Sequence, residues 1–332
     1  MLRRSHALVR LARIAVILFV VAGCDKAREL AGGSSGAPAA EPPLSDRLDL
    51  SAKPEIVFQL FGERDEPRMM PLAALVDGVL KPIVLASNGW RQLDALYLRP
   101  GATYTLYRSG RAIGTVAVER GMWEDRMEQL YTLPNCLLMT PMASVNMDAS
   151  GELGYVVEFI ATAAGHGRSA ADKGSRTNMD AGEAERIARS VGSAAATGAG
   201  LAGAAINALE LASTSIAAGA TSSQTVVASF TDPRASERAA AGEETTHLFV
   251  IADRGAGGVY EPTFVHKVSG DAADAEQRRY IDHLDLTRDG TDEIILEVSQ
   301  YDRNPMISIL GFANGKWSEI FRSRESWCLD RG

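Results

Sequence analysis

The sequence has 332 residues, with 34 Lys and Arg against 42 Asp and Glu, giving a formal net charge of −8. Four of the arginines lie in the first 23 residues, which contain no acidic side chain, so the remainder has 30 basic and 42 acidic groups. An acidic chain without a concentrated basic face is not expected to bind nucleic acid, and its length allows one large or two ordinary domains.

Residues 1–23 have the features of an export signal. The apolar run 14–22 follows the arginines and is too short to span a bilayer as a permanent helix. The tetrapeptide Val21-Ala22-Gly23-Cys24 ends this run and resembles the bacterial lipoprotein box, in which the cysteine thiol is acylated before the signal is cut. The resemblance implies that Cys24 becomes a lipidated N-terminus, anchored to a bacterial membrane and facing the periplasm or the exterior. The alternative is an ordinary secretory signal followed by a chance cysteine.

Residues 24–48 are predicted to be a flexible tether. They are rich in Ala, Gly, Ser and Pro and show no apolar periodicity. Gly32, Ser34 and Gly36 have the spacing of a hydrolase nucleophile elbow, but that turn must join a buried strand to a helix, and neither is predicted there.

Residues 49–162 are predicted to be an N-terminal β-rich region, because short β-prone runs alternate with turn residues. The pair Ser109-Gly110 indicates a hairpin turn between two of these runs, since glycine readily adopts a positive φ. The runs are residues 56–61, 79–86, 95–98, 104–107 and 113–118, with a further strand pair at 139–147 and 155–160 around a turn at 148–151.

Residues 163–224 are rich in Ala, Gly and Ser and are predicted to be a helical or partly disordered insertion. Asp180 and Glu183 have the spacing of a helix-capping box. A second helix is predicted from Leu201 to Ile216, where apolar residues recur every three to four positions. A glycine pattern at 198–203 matches a dinucleotide-binding loop in spacing only, because no hydrophobic strand precedes it.

Residues 225–332 return to β-prone runs and are predicted to form an antiparallel meander, with Asn314-Gly315 as a two-residue hairpin turn. The predicted strands are residues 247–252, 259–268, 280–284, 293–299, 306–312 and 316–321. The predicted fold class is therefore α+β and mainly β, with antiparallel strands and hairpins and an Ala/Gly-rich helical insertion.

Two cysteines remain if Cys24 carries lipid. Cys136 and Cys328 are predicted to form a disulfide, because an exported chain enters an oxidising compartment and the bond would close a long loop. Two separate buried thiols are the alternative, and a catalytic cysteine is a third reading.

One stretch of the mature chain has the pattern of a metal site. Residues 285–293 place oxygen-bearing side chains at alternate positions around Gly290, as hard cations such as Ca²⁺ require. The loop runs into a β-prone segment, and residues 284–321 resemble a single FG-GAP or VCBS-type β-propeller unit, in which an Asp-rich loop between two strands binds calcium. The resemblance implies a structural Ca²⁺ site whose candidate ligands are Asp285, Thr287, Asp289, Thr291 and Glu293. The chain departs from the family at Thr287, usually Asp or Asn, and at Arg288, commonly Gly. A charged turn without an ion is the alternative.

No pattern in the sequence indicates a reaction. The histidines show no zinc-protease spacing, and no nucleophile, base and acid are recognisable as a set. The sequence therefore favours a non-enzymatic, lipid-anchored binding or structural protein, with an unidentified protein or glycan as its partner. The alternative is an exported hydrolase whose site is assembled from distant residues.

Overall fold

The structure, a computed structural model, describes residues 47–85, 88–122, 142–149, 156–163, 179–201, 203–221 and 223–323. The described residues form one compact unit. They contain fifteen β-strands, which pair antiparallel in three sheets, and four α-helices. The predicted mainly-β, antiparallel architecture is thus confirmed.

The first sheet closes into a six-stranded barrel. Its strands follow the order β1-β7-β4-β5-β6-β2, and β1 pairs with β2 to complete the ring, while β3 extends the sheet from β2. The elements are β1 (Glu55–Glu63), β2 (Glu66–Val76), β3 (Val79–Lys81), α1 (Gly89–Tyr97), β4 (Thr103–Arg108), β5 (Arg111–Arg120), β6 (Ala143–Ala149) and β7 (Val156–Thr162). Ile56, Phe58 and Leu60 of β1 pack inside the barrel, whereas Val57 belongs to a cluster outside it. This alternation follows from the two-residue period of a strand.

The other two sheets are four-stranded antiparallel meanders. The first, here called the helix-covered sheet, has the order β11-β10-β9-β8, and the second, the central sheet, has the order β12-β13-β14-β15. The elements are α2 (Ala181–Gly198), α3 (Gly203–Asn207), β8 (Glu210–Ile216), β9 (Thr225–Thr231), α4 (Ala235–Ala241), β10 (Glu244–Arg254), β11 (Tyr260–Asp271), β12 (Gln277–Leu284), β13 (Glu293–Ser299), β14 (Met306–Ala313) and β15 (Lys316–Arg322).

The central sheet is packed on both faces. Ile295 of β13 lies in the cluster that joins this sheet to the outside of the barrel. Its neighbours Ile294 and Leu296 lie in a second cluster, with Phe249 and Ile251 of the helix-covered sheet. These three successive residues of β13 are 0% exposed, as expected for a strand that is buried on both faces.

Helix α2 covers the remaining face of the helix-covered sheet. Asp180 is its N-cap and accepts a hydrogen bond from the Glu183 backbone N–H at 2.8 Å, as the capping-box spacing predicts. Val191 packs against the sheet, and Gly192 allows close approach to Phe230. A Cβ at Gly192 would lie 2.4 Å from the Phe230 ring, so the sheet side of the helix has no room for a larger residue there.

Both predicted two-residue hairpin turns are confirmed. Ser109 and Gly110 connect β4 to β5 with φ values of 51° and 70°, and Asn314 and Gly315 connect β14 to β15 with φ values of 53° and 78°. Two successive positive φ angles are the signature of the tight turn whose twist matches that of the flanking strands.

Several local predictions are wrong. Residues 95–98 end α1 instead of forming a strand, and residues 210–216 form strand β8 instead of continuing a helix. Strands β6 and β7 do not pair with each other, because β6 lies between β5 and β2 while β7 lies between β1 and β4. The C-terminal meander is divided, because β11 and β12 belong to different sheets.

Candidate cation loop and the buried polar joints

The Asp-rich loop connects β12 to β13 at one end of the central sheet. The Asp292 backbone N–H donates to the Ala218 carbonyl oxygen at 2.7 Å, which links the loop to the segment after β8. On the other side, the Arg288 Nη2 lies 3.4 Å from the Glu55 Oε2 at the start of β1. The loop therefore contacts both the barrel and the connection between β8 and β9 of the helix-covered sheet.

Glu293 is bonded to the loop it closes. Its Oε2 accepts hydrogen bonds from the backbone N–H groups of Leu286 at 2.7 Å and Thr287 at 3.3 Å. Its Oε1 accepts the Thr287 hydroxyl at 2.6 Å. One carboxylate oxygen thus holds the backbone of the loop and the other holds the Thr287 side chain.

The two predicted Asp ligands also accept hydrogen bonds from the loop. The Asp285 Oδ2 accepts the Gly290 N–H at 3.2 Å, and the Asp289 Oδ1 accepts the Thr291 N–H at 2.8 Å. Arg288 has a φ of 63°, in the left-handed region. That conformation suits glycine best.

Burial sets the charge state of the loop. Glu293 is 3% exposed, and burial raises its pKa to about 7, against the lowering effect of the three hydrogen bonds from Thr287 and Leu286. The negative charge of Asp289 raises it further. A carboxyl group of this kind is half protonated near neutral pH and is costly to ionise without a nearby positive charge.

The predicted Ca²⁺ ligands do not converge in this conformation. Within the described residues, no three His, Cys, Asp or Glu side chains are grouped so that they could hold a metal ion. The Thr287 hydroxyl donates to the Glu293 Oε1 at 2.6 Å. Calcium binding would therefore require the loop to exchange internal hydrogen bonds for metal contacts, and the site stays a prediction.

A buried acid that sequence reasoning missed joins the barrel to the central sheet. The Asp282 Oδ1 accepts the Gly110 N–H at 3.2 Å from the β4–β5 turn and the His283 N–H at 2.7 Å. Burial raises the Asp282 pKa to about 6, while these backbone hydrogen bonds oppose the shift. The pairing of β12 with β13 is irregular between Tyr280 and Asp282, and this irregularity directs the Asp282 side chain towards the β4–β5 turn of the barrel.

His283 is buried beside the same joint. Its Nδ1 lies 2.7 Å from the Tyr280 hydroxyl, and its Nε2 lies 3.8 Å from the Asp292 Oδ2, beyond hydrogen-bond distance. Burial lowers the His283 pKa to about 4, and the positive charge of Arg111 adds to this effect. The His283 ring is therefore neutral at physiological pH and is packed in the interior of the protein.

A second polar joint connects the two C-terminal sheets. The Arg278 N–H donates to the His247 Nε2 at 2.9 Å, and the Ser229 hydroxyl donates to the Arg278 carbonyl oxygen at 2.9 Å. Burial lowers the His247 pKa to about 4, with further lowering by the charges of His266 and Arg278. This hydrogen bond requires a neutral His247, because only an unprotonated ring nitrogen can accept the Arg278 N–H.

A third joint uses a buried acid and an indole. The Asp253 Oδ2 accepts the Trp317 Nε1–H at 2.8 Å and the Thr263 hydroxyl at 2.6 Å, and its Oδ1 accepts the Thr225 hydroxyl at 2.5 Å. Trp317 lies on β15 of the central sheet, while the other three residues belong to the helix-covered sheet. The contacts of Asp253 and Trp317 therefore satisfy two buried polar groups across the sheet-to-sheet packing.

The predicted lipidation and disulfide residues lie outside the described part of the chain. This applies to Cys24, Cys136 and Cys328, to the signal, and to the tether as far as residue 46. Among the described helices, none is both long and apolar enough to cross a membrane. Comparison with models of protein families, with curated protein sequences and with solved structures found no match.

Proposed function

We propose that the protein is a lipid-anchored, exported lipoprotein whose β-rich domain has a binding or structural role and no catalytic one. The observation that carries the non-enzymatic part is the location of two histidines and two acids whose pKa values are shifted by burial. His247 and His283 are 1% and 4% exposed, and Asp282 and Glu293 are 2% and 3% exposed. A general acid or base must reach a substrate, whereas these groups are buried and hydrogen-bonded within the protein.

The anchor is proposed from the sequence around Cys24. The first described element is a short helical turn at Leu50–Ala52, and Leu50 packs into the interior cluster of the barrel. In this proposal, the tether connects the lipidated Cys24 to the first element that packs on the barrel. A coil of about two dozen residues of that composition has an end-to-end distance of roughly 25–30 Å, so the domain would stay close to the membrane surface.

Fatty-acid labelling tests the anchor. Cells grown with a labelled fatty acid should yield a labelled, membrane-associated wild-type protein. The Cys24→Ser variant should lose both the label and the membrane association. Equal labelling of the two proteins would refute the lipoprotein assignment.

We further propose that the loop at residues 285–293 binds Ca²⁺ when the ion is abundant, as it is outside the cytoplasm. The proposal is supported by the burial of the candidate ligands Asp285 and Glu293, because a divalent cation would offset the cost of ionising Glu293. An ion that binds only the folded state stabilises it by about 2.7 kcal/mol at a hundredfold excess over its dissociation constant.

Thermal melting with calcium or chelator tests this proposal. Millimolar calcium should raise the midpoint of the wild type and leave Asp289→Ala unchanged. An unmoved wild-type midpoint would identify the loop as a polar turn, and an equal response of both proteins would place any ion effect elsewhere.

We propose a Cys136–Cys328 disulfide, because an exported chain enters an oxidising compartment and these are the two thiols that remain when Cys24 carries lipid. Non-reducing mass spectrometry of the mature protein should show one cross-linked peptide that contains both cysteines. Labelling of both as free thiols would reject the bond.

We also propose that the Ala/Gly-rich segment covers one face of the helix-covered sheet. Its helix α2 packs on that sheet, and its strand β8 belongs to the sheet.

A further inference from the structure

A polar cleft opens at the end of the central sheet opposite the Asp-rich loop. Gln277 of β12 and Ser299 of β13 are paired at this end, whereas Leu284 and Glu293 are paired at the loop end. The cleft has a volume of about 250 Å³. Its polar lining consists of Ser236, Gln277, Ser299, Gln300, Tyr301 and Asp302.

The charge of the lining excludes several ligand classes. None of the described residues that line the cleft is basic, and Asp302 contributes one carboxylate. Phosphates and carboxylates would therefore meet a negative charge without a compensating cation. One carboxylate is also too few for a divalent metal ion, which needs several oxygen ligands.

The remaining polar groups are hydroxyls and amides, which both donate and accept hydrogen bonds. Ser236 and Ser299 provide hydroxyls, and Gln277 and Gln300 provide amides. The Gln300 Nε2 donates to the Asp274 carbonyl oxygen at 2.9 Å, which orients that amide before any ligand binds. Neutral molecules with several hydroxyl groups present the complementary mixture of donors and acceptors.

An aromatic ring and two small side chains complete the cleft. Tyr301 is 43% exposed and stands in the turn after β13, next to Asp302, whose φ is 56°. Ala235 and Ala272 are buried beneath the cleft and leave space above them. A half-exposed tyrosine offers a rigid apolar face at low entropic cost, which suits the C–H face of a sugar ring.

We propose that this cleft binds a neutral saccharide, with one ring held between the Tyr301 face and the amides of Gln277 and Gln300. The volume is below the range of roughly 300–1,000 Å³ that is typical of drug-sized ligands, so a single ring fills it. This inference rests on the proposed binding role of the exported domain and names the chemical class of its ligand.

Two soluble probes distinguish the sources of such a ring. Chitotriose represents an N-acetylated cell-wall-type glycan, and maltotriose represents a plain glucan. Titration of the mature protein, followed by nuclear magnetic resonance, should give a dissociation constant on the order of 1 mM for one probe, as expected for one ring with few contacts. No binding of either probe up to about 20 mM would overturn the proposal.

Matched variants locate the site. Tyr301→Ala should weaken binding by about tenfold, while Tyr301→Phe, which keeps the ring, should bind within about twofold of the wild type. Val259→Ala removes another exposed apolar side chain far along the chain and should leave binding unchanged. If Tyr301→Ala binds as the wild type does, the saccharide lies elsewhere and the proposal is wrong. Labelling of Cys24 does not depend on this result, so loss of saccharide binding with an intact anchor would reject this inference alone.

Discussion

Replacing Glu293 by glutamine should stabilise the protein above pH 7. A carboxyl group whose pKa is higher in the folded chain than in the unfolded chain binds its proton more readily when folded. The stability of the wild type therefore rises as the pH falls from about 7 towards 4.5, and this gain is absent above pH 7. Glutamine is neutral at every pH and removes this dependence.

The magnitude follows from the pKa difference. A shift from the ordinary value of 4.5 to about 7 corresponds to a cost of order 3 kcal/mol for ionised Glu293, at about 1.4 kcal/mol per tenfold change. Glutamine can keep the three contacts, because its oxygen can accept both backbone N–H groups and its amide can donate to the Thr287 hydroxyl. The gain at pH 8 should therefore approach about 3 kcal/mol, decrease as the pH falls, and vanish below about pH 4.5.

Urea unfolding in the presence of a chelator measures this effect. The free energy of unfolding of wild type and Glu293→Gln should be compared at several pH values between 5 and 8. Glu210→Gln is the matched control, because it makes the same chemical change at an exposed position of β8. If Glu293→Gln shows the same pH dependence as the wild type, the buried ionisation of Glu293 is not what limits stability.

Three further predictions concern packing, backbone strain and the histidines. Gly192→Ala should lower the free energy of unfolding by about 1–2 kcal/mol through overpacking. Gly198→Ala is the control and should be neutral or slightly stabilising, because no atom lies within 4 Å of its new Cβ. The two variants are compared by their calorimetric unfolding midpoints. Arg288→Gly should stabilise the protein by about 0.5–1 kcal/mol in urea unfolding, because glycine adopts the left-handed conformation without strain. A loss of stability would show that the exposed ion pair of Arg288 with Glu55 contributes more than this strain costs. The ring signals of His247 and His283 should titrate only near pH 4 in nuclear magnetic resonance. The stability that their neutral rings provide is lost as the pH falls from 6.5 towards 4. Titration near pH 6.5 would contradict their burial.

Turn and helix-capping signals in the sequence correctly predict the local structure at three sites. The turn pairs at Ser109-Gly110 and Asn314-Gly315 need residues that accept a positive φ, and Asp180 caps the helix that follows it. These features depend on neighbours within a few positions of the chain, so their physical causes are visible in the sequence.

The arrangement of the sheets could not be predicted in the same way. Strand β2 contains Pro67 and Pro71, which disfavour a strand assignment, yet it pairs with β1 over nearly its whole length. Residues 210–216 have a helical spacing of apolar side chains, but pairing with β9 determines their conformation. Burial against a neighbouring strand outweighs the intrinsic preference of a short segment.

The polar joints depend on contacts between residues that are distant in the sequence. Asp282 meets the turn at Gly110 across 172 positions, and Trp317 meets Asp253 across 64. The sequence offers one signal in retrospect, which is a charged or imidazole side chain within an apolar strand, as at His247. The Asp-rich loop was found because its pattern is local, but its internal hydrogen bonds were not foreseen.

The central claim is that the buried histidines and acids join the barrel, the central sheet and the helix-covered sheet into one cooperative domain. Differential scanning calorimetry of the mature protein with a chelator tests it most directly. A single transition is predicted, with equal calorimetric and van't Hoff enthalpies, because the central sheet is packed on both faces. Two resolved transitions would contradict the account, since the barrel and the C-terminal sheets would then unfold as separate units.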